Sequence, residues 1–324
     1  MAAPATISAP PNRGAQSFLK RLRGGDEVAH LIVLVFAAAV FIVTILLVWE
    51  LWRTSQLSRH QFGLSFLWTS IWDPNSDIYG ALPFIYGTIV TSTVALLIAV
   101  PLGVGAAIFL SEMAPPASSN VFTFLVELLA AVPSVIFGLL AIFTLVPLMR
   151  NVIGPALSKS FGFLPIFKGP SYGVGVLTAG LILAIMTFPY IISISREALL
   201  SVPREQREAA LALGATKWEA TWDAVVPWAR LGILGSIFLS LARALGETMA
   251  VTMVIGNDPK IHASLLASGY TIAAVIANEF TEATGDLYLS SLIELGLVLF
   301  LITIVINGLA RLLIVATTGP GTKK

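Results

Sequence analysis

Cysteine is absent from the 324 residues, and histidine occurs three times, at His30, His60 and His262 in three separate segments. The chain therefore has no disulfides and no thiolate metal ligands, and its scattered histidines show no metal-site spacing. Charge is scarce as well: Asp, Glu, Lys and Arg make up 11% of the residues, against about 25% in an ordinary globular chain. Nineteen basic and 18 acidic side chains cannot cover a soluble fold of this length. A net charge of +1 gives no support to a nucleic-acid partner. There is no Gly-x-x-x-x-Gly-Lys-Ser/Thr, hence no P-loop to hold ATP phosphates. No nucleophile–base pair or metal cluster marks an enzyme, so neither a catalytic residue nor a metal ligand is assigned.

What the chain has in abundance is apolar length. Hydrophobic residues make up 56% and the mean hydropathy is +0.88. Crossing about 30 Å of hydrocarbon takes about 20 apolar helical residues, and six runs reach that: 29–49, 83–110, 121–148, 173–195, 231–255 and 288–315. The expected fold is an all-α membrane protein with six transmembrane helices. Placing the N-terminus in the cytoplasm puts twelve Lys/Arg inside and six outside, so the positive-inside rule favours both termini in the cytoplasm. The apolar stretch 264–280, interrupted by Gly269 and ending near Glu279, is read as re-entrant or interfacial and not as a seventh span. The expected organisation is a disordered cytoplasmic tail over 1–25, a first transmembrane helix and external start over 26–60, a transmembrane core over 61–316 and a cytoplasmic tail over 317–324. Residues 149–172, rich in Gly and Pro, read as an external loop. Pro101, Pro133 and Pro189 are expected to kink spans.

The only sizeable cytoplasmic segment, 196–230, parses as two helices. Pro203 and Glu205 suit a first turn, and a helix over 203–213 follows. Gly214 supplies a left-handed end, and Thr216-Lys217-Trp218-Glu219 forms a capping box. The second helix starts at Lys217 and is expected to stop at Pro227. By spacing alone, this pair could lie on the membrane, with Trp218, Trp222 and Trp228 as interfacial anchors.

A second feature lies in the fifth run. Arg243 stands twelve residues beyond Leu231, about 18 Å along a helix and so near mid-membrane. Ser236, Ser240, Arg243 and Glu247 share one helical face, and a stripe like that facing lipid is untenable. One reading is an intrahelical ion pair that orients a bundle. The other is a pathway wall, where Arg243 presents planar donors to an oxyanion and Glu247 accepts a hydrogen bond from a protonated one. Glu127 and Glu294, also within apolar runs, are read as structural.

The stretch Glu208-Ala209-Ala210-Leu211-Ala212-Leu213-Gly214, followed by Val225-Val226-Pro227, resembles the EAA loop of ABC importer permeases. The stretches Ala242-Arg243-Ala244-Leu245-Gly246-Glu247-Thr248-Met249-Ala250-Val251 and Ile255-Gly256-Asn257 narrow the resemblance to PstC-type permeases of the Pst phosphate importer. So do Ser195-Arg196-Glu197-Ala198-Leu199-Leu200-Ser201-Val202-Pro203 and Ala130-Ala131-Val132-Pro133-Ser134. The resemblance implies a type I ABC importer permease fold in the bacterial inner membrane. Implied partners are the sister permease PstA, a homodimer of the ATPase PstB that binds ATP and Mg, the phosphate-binding protein PstS, membrane lipid and inorganic phosphate. It also implies ATPase coupling through Glu208, Ala209, Ala210 and Gly214, and phosphate passage past Arg243 and Glu247. The rivals are a permease for another oxyanion, a proton-coupled transporter using Glu127, Glu247 or Glu294, and a sensory role.

Overall fold

The computed structural model describes residues 26–317, with side chains described over 29–312. The expectations for 1–25 and 318–324 lie outside the described residues. The chain divides into two compact units, 1–53 and 54–324. Helix α1 (Asp26–Thr54) is apolar on all sides, the pattern of a membrane span.

In the second unit, α2 (Gln56–Phe62) leads through a 3-10 turn to α3 (Leu82–Ile108). Helix α4 (Pro116–Ala130) follows, then a helical rod made of α5 (Ser134–Leu140), α6 (Val146–Leu148) and α7 (Gly154–Phe161). Next come α8 (Val176–Leu200), α9 (Arg204–Ala212), α10 (Lys217–Ala220) and α11 (Val226–Leu245). The last elements are α12 (Met249–Thr252), α13 (Ile272–Glu279) and α14 (Asp286–Thr317). The described residues contain no strand, and six helical segments are long and apolar enough to cross a membrane.

Two of the six spans differ from expectation, and proline explains both. The run 121–148 is broken. Pro133 has no N–H and holds an extended backbone, so α4 ends at Ala130 and the span becomes Ser134–Phe161. The supposed external loop 149–172 is therefore helical as far as Phe161. Pro227, expected to end a helix, does not: the fifth span runs Lys217–Leu245 through it, and not 231–255. The described residues hold four π turns, two of them in the third span, one in the fifth and one at the end of the second, and each ends two residues before a proline. They are Phe109–Met113 before Pro115, Ala141–Leu145 before Pro147, Met149–Ile153 before Pro155 and Thr221–Val225 before Pro227. In each, the residue just ahead of the proline donates its N–H five residues back, as Val226 does to the Thr221 carbonyl. At Pro147, Pro155 and Pro227, where the helix continues, the widened turn makes room for the proline ring that an α-turn would force against a carbonyl; before Pro115 it closes the helix, and Ala114 is already extended. Pro101 and Pro189, by contrast, sit inside regular α-helices.

The core is built on α3 and α8. Along α3 a small residue recurs every four positions, Gly87, Thr91, Ala95, Ala99, Gly103 and Ala107, and all six are buried. This ladder lets helices approach closely, as membrane helices do where no hydrophobic force drives them together. A Cβ on Gly103 would strike Ile191, and one on Gly180 would strike Val94. At the ladder's head Gly87 faces the Tyr270 backbone, and Thr88 Oγ1 accepts the Ile272 N–H at 3.0 Å. A Cβ at Gly87 would lie 2.1 Å from the Tyr270 carbonyl oxygen. We expect Gly87→Ala to cost about 1–3 kcal/mol, read as earlier thermal unfolding in detergent; an unchanged midpoint would refute the close approach.

The stretch 264–280 does not cross. Its helical part, α13, has eight residues with Ile272, Ala273, Ala274 and Val275 buried, and the residues before it pair irregularly with the start of α8. Leu177 N–H donates to Leu265 O and Val176 N–H to Ala267 O. Nearby, Trp72, Tyr79, Phe84 and Tyr288 form an aromatic cluster with centroids 4.9–6.2 Å apart. Trp72 Nε1 and the Tyr288 hydroxyl both donate to the Glu279 carboxylate, at 2.8 and 2.7 Å. Burial, helped by the Asp77 carboxylate, pushes the Tyr79 hydroxyl up to about 12. Glu294, read as structural, is buried on α14, whose neighbours Ser290 and Ser291 bond α2 through Ser58. Glu127 is exposed.

Candidate functional site

The two-helix segment forms as read from sequence, except at its far end. Pro203 precedes α9, which runs Arg204–Ala212. Gly214 has φ +91, the left-handed conformation that ends a helix at little cost to glycine. Thr216 Oγ1 accepts the Glu219 N–H at 3.3 Å while Glu219 Oε2 accepts the Thr216 N–H at 2.7 Å, completing the capping box. Beyond it, α10 continues into α11, so segment and span are one helical rod with a π turn in it.

No residue of α9 is buried. Glu208, Ala209 and Gly214 are exposed and Ala210 is half-buried. Leu213 is 89% exposed and Leu211 also projects outward. The surface of this short helix thus presents small residues and two uncovered leucines.

The polar stripe is realised in part. Ser236 and Ser240 are fully buried. Ser236 Oγ bonds Ser195 Oγ on α8 at 2.8 Å and donates to Ile233 O at 2.7 Å. Arg243 lies in the last turn of α11 and is exposed. Glu247 does not share its face: the helix stops at Leu245, and Gly246 turns the chain away. A span displaced towards its N-terminal end thus leaves Arg243 near the helix end, not at its middle. Among the described residues Arg243 has no ion pair. Its guanidinium instead lies 4.5 Å from the ring centroid of Tyr190, a cation–π distance. The Tyr190 hydroxyl donates to Ala130 O at 3.0 Å, one of the carbonyls at the end of the helix that Pro133 terminates. The break at Pro133 therefore fixes the ring on which Arg243 rests. Glu247 Oε1 makes a long contact, 3.5 Å, with the Ala250 N–H.

Three contributors escaped the sequence reading. Tyr190 is adjacent to Pro189 inside an apolar run, with no local signal of its partner 60 residues away. Arg207, one residue before the Glu-Ala-Ala run, and Glu112, in the π turn after α3, meet across 95 residues of sequence. Arg207 Nε reaches Glu112 Oε2 at 3.1 Å and Nη2 reaches Oε1 at 2.8 Å. The same guanidinium donates to Leu199 O at 2.7 Å and Val202 O at 2.5 Å. A charged residue just past an apolar run was the available signal for Glu112.

The family described as the binding-protein-dependent transport system inner membrane component matches residues 99–317, most of the chain. The chain belongs to that family. Within it the permease is of the PstC type. It is 47% identical over 281 residues to the phosphate transport system permease protein PstC of Mesorhizobium japonicum, covering 85% of this chain and 86% of that protein. It is 48% identical over 289 residues to the PstC of Xylella fastidiosa strain 9a5c, covering 87% of this chain and 89% of the other. A chain of the inward-facing MetNI methionine ABC transporter is 16% identical and aligns with a TM-score of 0.51 over 70% of this permease and 93% of that chain. The fold is that of type I ABC importer permeases, and the permease is a multi-pass membrane protein.

Proposed function

We propose that the permease forms half of the translocation pathway of an ATP-driven, high-affinity importer of inorganic phosphate. The observation that carries this is Arg243: an exposed guanidinium at the end of a span, propped on Tyr190 and unpaired with any carboxylate among the described residues. Such a group binds an oxyanion bidentately. The similarity to PstC permeases of phosphate transport systems supports the substrate.

In this reading Arg243, with Glu247 beyond the turn and Ser236 and Ser240 behind it, borders the path. Phosphate near pH 7 carries a proton that a carboxylate such as Glu247 accepts as a hydrogen bond, and sulfate has none to offer. The exposed surface of Glu208, Ala209, Ala210 and Gly214 docks on a separate ATPase homodimer that binds ATP and Mg. A sister permease supplies the other wall and a phosphate-binding protein delivers substrate from outside: PstA, PstB and PstS in kind. The permease itself hydrolyses nothing and lies in the bacterial inner membrane with both termini in the cytoplasm. ATP biases the equilibrium of the path because its two states make different contacts with α9.

The test is uptake of labelled phosphate at low concentration by cells lacking other phosphate transporters, with the full subunit set and with this chain omitted. Uptake should need this chain and ATP and resist excess sulfate. Uptake that sulfate or molybdate abolishes would assign another oxyanion, and uptake driven by a pH gradient without ATP would make this a secondary transporter.

A further inference from the structure

We infer that Arg207 is the positioning residue through which movement of α9 reaches the spans, with Glu112 as its anchor. The inference rests on the reading above, that α9 docks on an ATPase. It turns on what else joins α9 to the membrane helices. On one side the link is Ser201-Val202-Pro203; on the other it is Leu213-Gly214-Ala215, where Gly214 sits at φ +91. No residue of α9 is buried. Val202 anchors the first link among Ile108, Leu199 and Val225, but beyond it α9 buries no side chain of its own, which leaves the body of the helix little packing to resist a tilt.

Arg207 removes that freedom. Its side chain is 22% exposed and Glu112 11%, so the pair is largely shielded from water, where charge-assisted bonds outweigh those at an open surface. The fork takes both carboxylate oxygens of Glu112 in the turn that ends the α3 span. Its remaining donors close two carbonyls at the end of α8, Leu199 and Val202, where a cation is also favoured by the helix dipole. The small-residue ladder already welds α3 to α8. One guanidinium thus holds the cytoplasmic ends of two spans that move together, and a push on α9 moves both. Lysine has one nitrogen with three N–H donors and no planar fork, so it cannot serve these four acceptor oxygens.

The experiment uses the complete complex, with sister permease, ATPase and binding protein, in proteoliposomes. Phosphate taken up per ATP hydrolysed is measured for the wild-type chain and for Arg207→Ala, Arg207→Lys and Glu112→Gln. The expected result is normal co-purification of the ATPase, hydrolysis within about threefold of wild type, and uptake per ATP lower by about tenfold or more for Arg207→Ala and Glu112→Gln. Arg207→Lys should fall between. Unchanged uptake per ATP in both Arg207→Ala and Glu112→Gln overturns the inference, as does a parallel fall of uptake and hydrolysis. If Arg207→Ala fails to assemble, Glu112→Gln decides alone, and failure of both to assemble makes the pair a folding element and ends the proposal. Failure of the underlying reading shows elsewhere, as a wild-type complex that carries no phosphate or hydrolyses no ATP.

Discussion

Arg243→Ala is expected to lower phosphate uptake by about a hundredfold while the complex still assembles. Two charge-assisted hydrogen bonds to an oxyanion contribute about 1.5–3 kcal/mol each, and the lower figure for the pair already corresponds to that factor. Assembly should survive because Arg243 is exposed and carries no ion pair among the described residues, so its loss leaves no buried carboxylate unpaired. Arg243→Lys should retain part of the uptake, since the charge remains and the planar fork does not. Tyr190→Phe keeps the ring under the guanidinium but loses the bond to Ala130 O, and a smaller loss is expected. Labelled-phosphate uptake at fixed protein level checks all three; wild-type uptake by the alanine variant would reduce Arg243 to a packing role.

Ala209→Asp should have an equally large effect by a different route. Ala209 is exposed and α9 buries nothing, so the isolated permease should unfold at an unchanged temperature. In the proposed assembly the same position enters a groove of the ATPase, where an unpaired carboxylate costs about 3–5 kcal/mol. The complex should then lose its ATPase on purification and lose uptake with it. Co-purification under mild detergent measures the first, and thermal unfolding of the permease alone measures the intactness of the fold. A variant that retains the ATPase and transports would show that α9 faces water and not a partner.

Local features were legible in the sequence, and long-range ones were not. The capping box at Thr216 and Glu219, the left-handed Gly214 and the start of α9 depend on residues within a few positions, and all three form as read. The number of spans was legible because apolar length decides it. The ends of spans were misplaced at Pro133 and Pro227, because a proline can either end a helix or be absorbed by a π turn, and tertiary packing chooses between them. The Arg243–Glu247 face failed for a related reason. Helical spacing was extended past Gly246, where the helix has already ended. The partners that position the site, Tyr190 for Arg243 and Glu112 for Arg207, lie far off in the chain; the local sequence marks Glu112 as a charge past an apolar run but does not say which residue it meets.

The π turn before Pro227 makes chain length act as an angle. One extra residue in a helix advances everything after it by about 100°, so the face bearing Ser236, Ser240 and Arg243 is rotated by that step relative to α10 and its capping box. Residues 221–225 therefore work as an indexing joint between the part that would meet the ATPase and the part that would meet the solute. A single deletion there would not shorten a loop. It would turn Arg243 off the Tyr190 ring and carry Ser236 away from Ser195, while leaving the Glu208–Gly214 surface as it was. Among permeases of this fold, a length difference at that joint would thus mean a differently aimed solute face behind the same coupling surface.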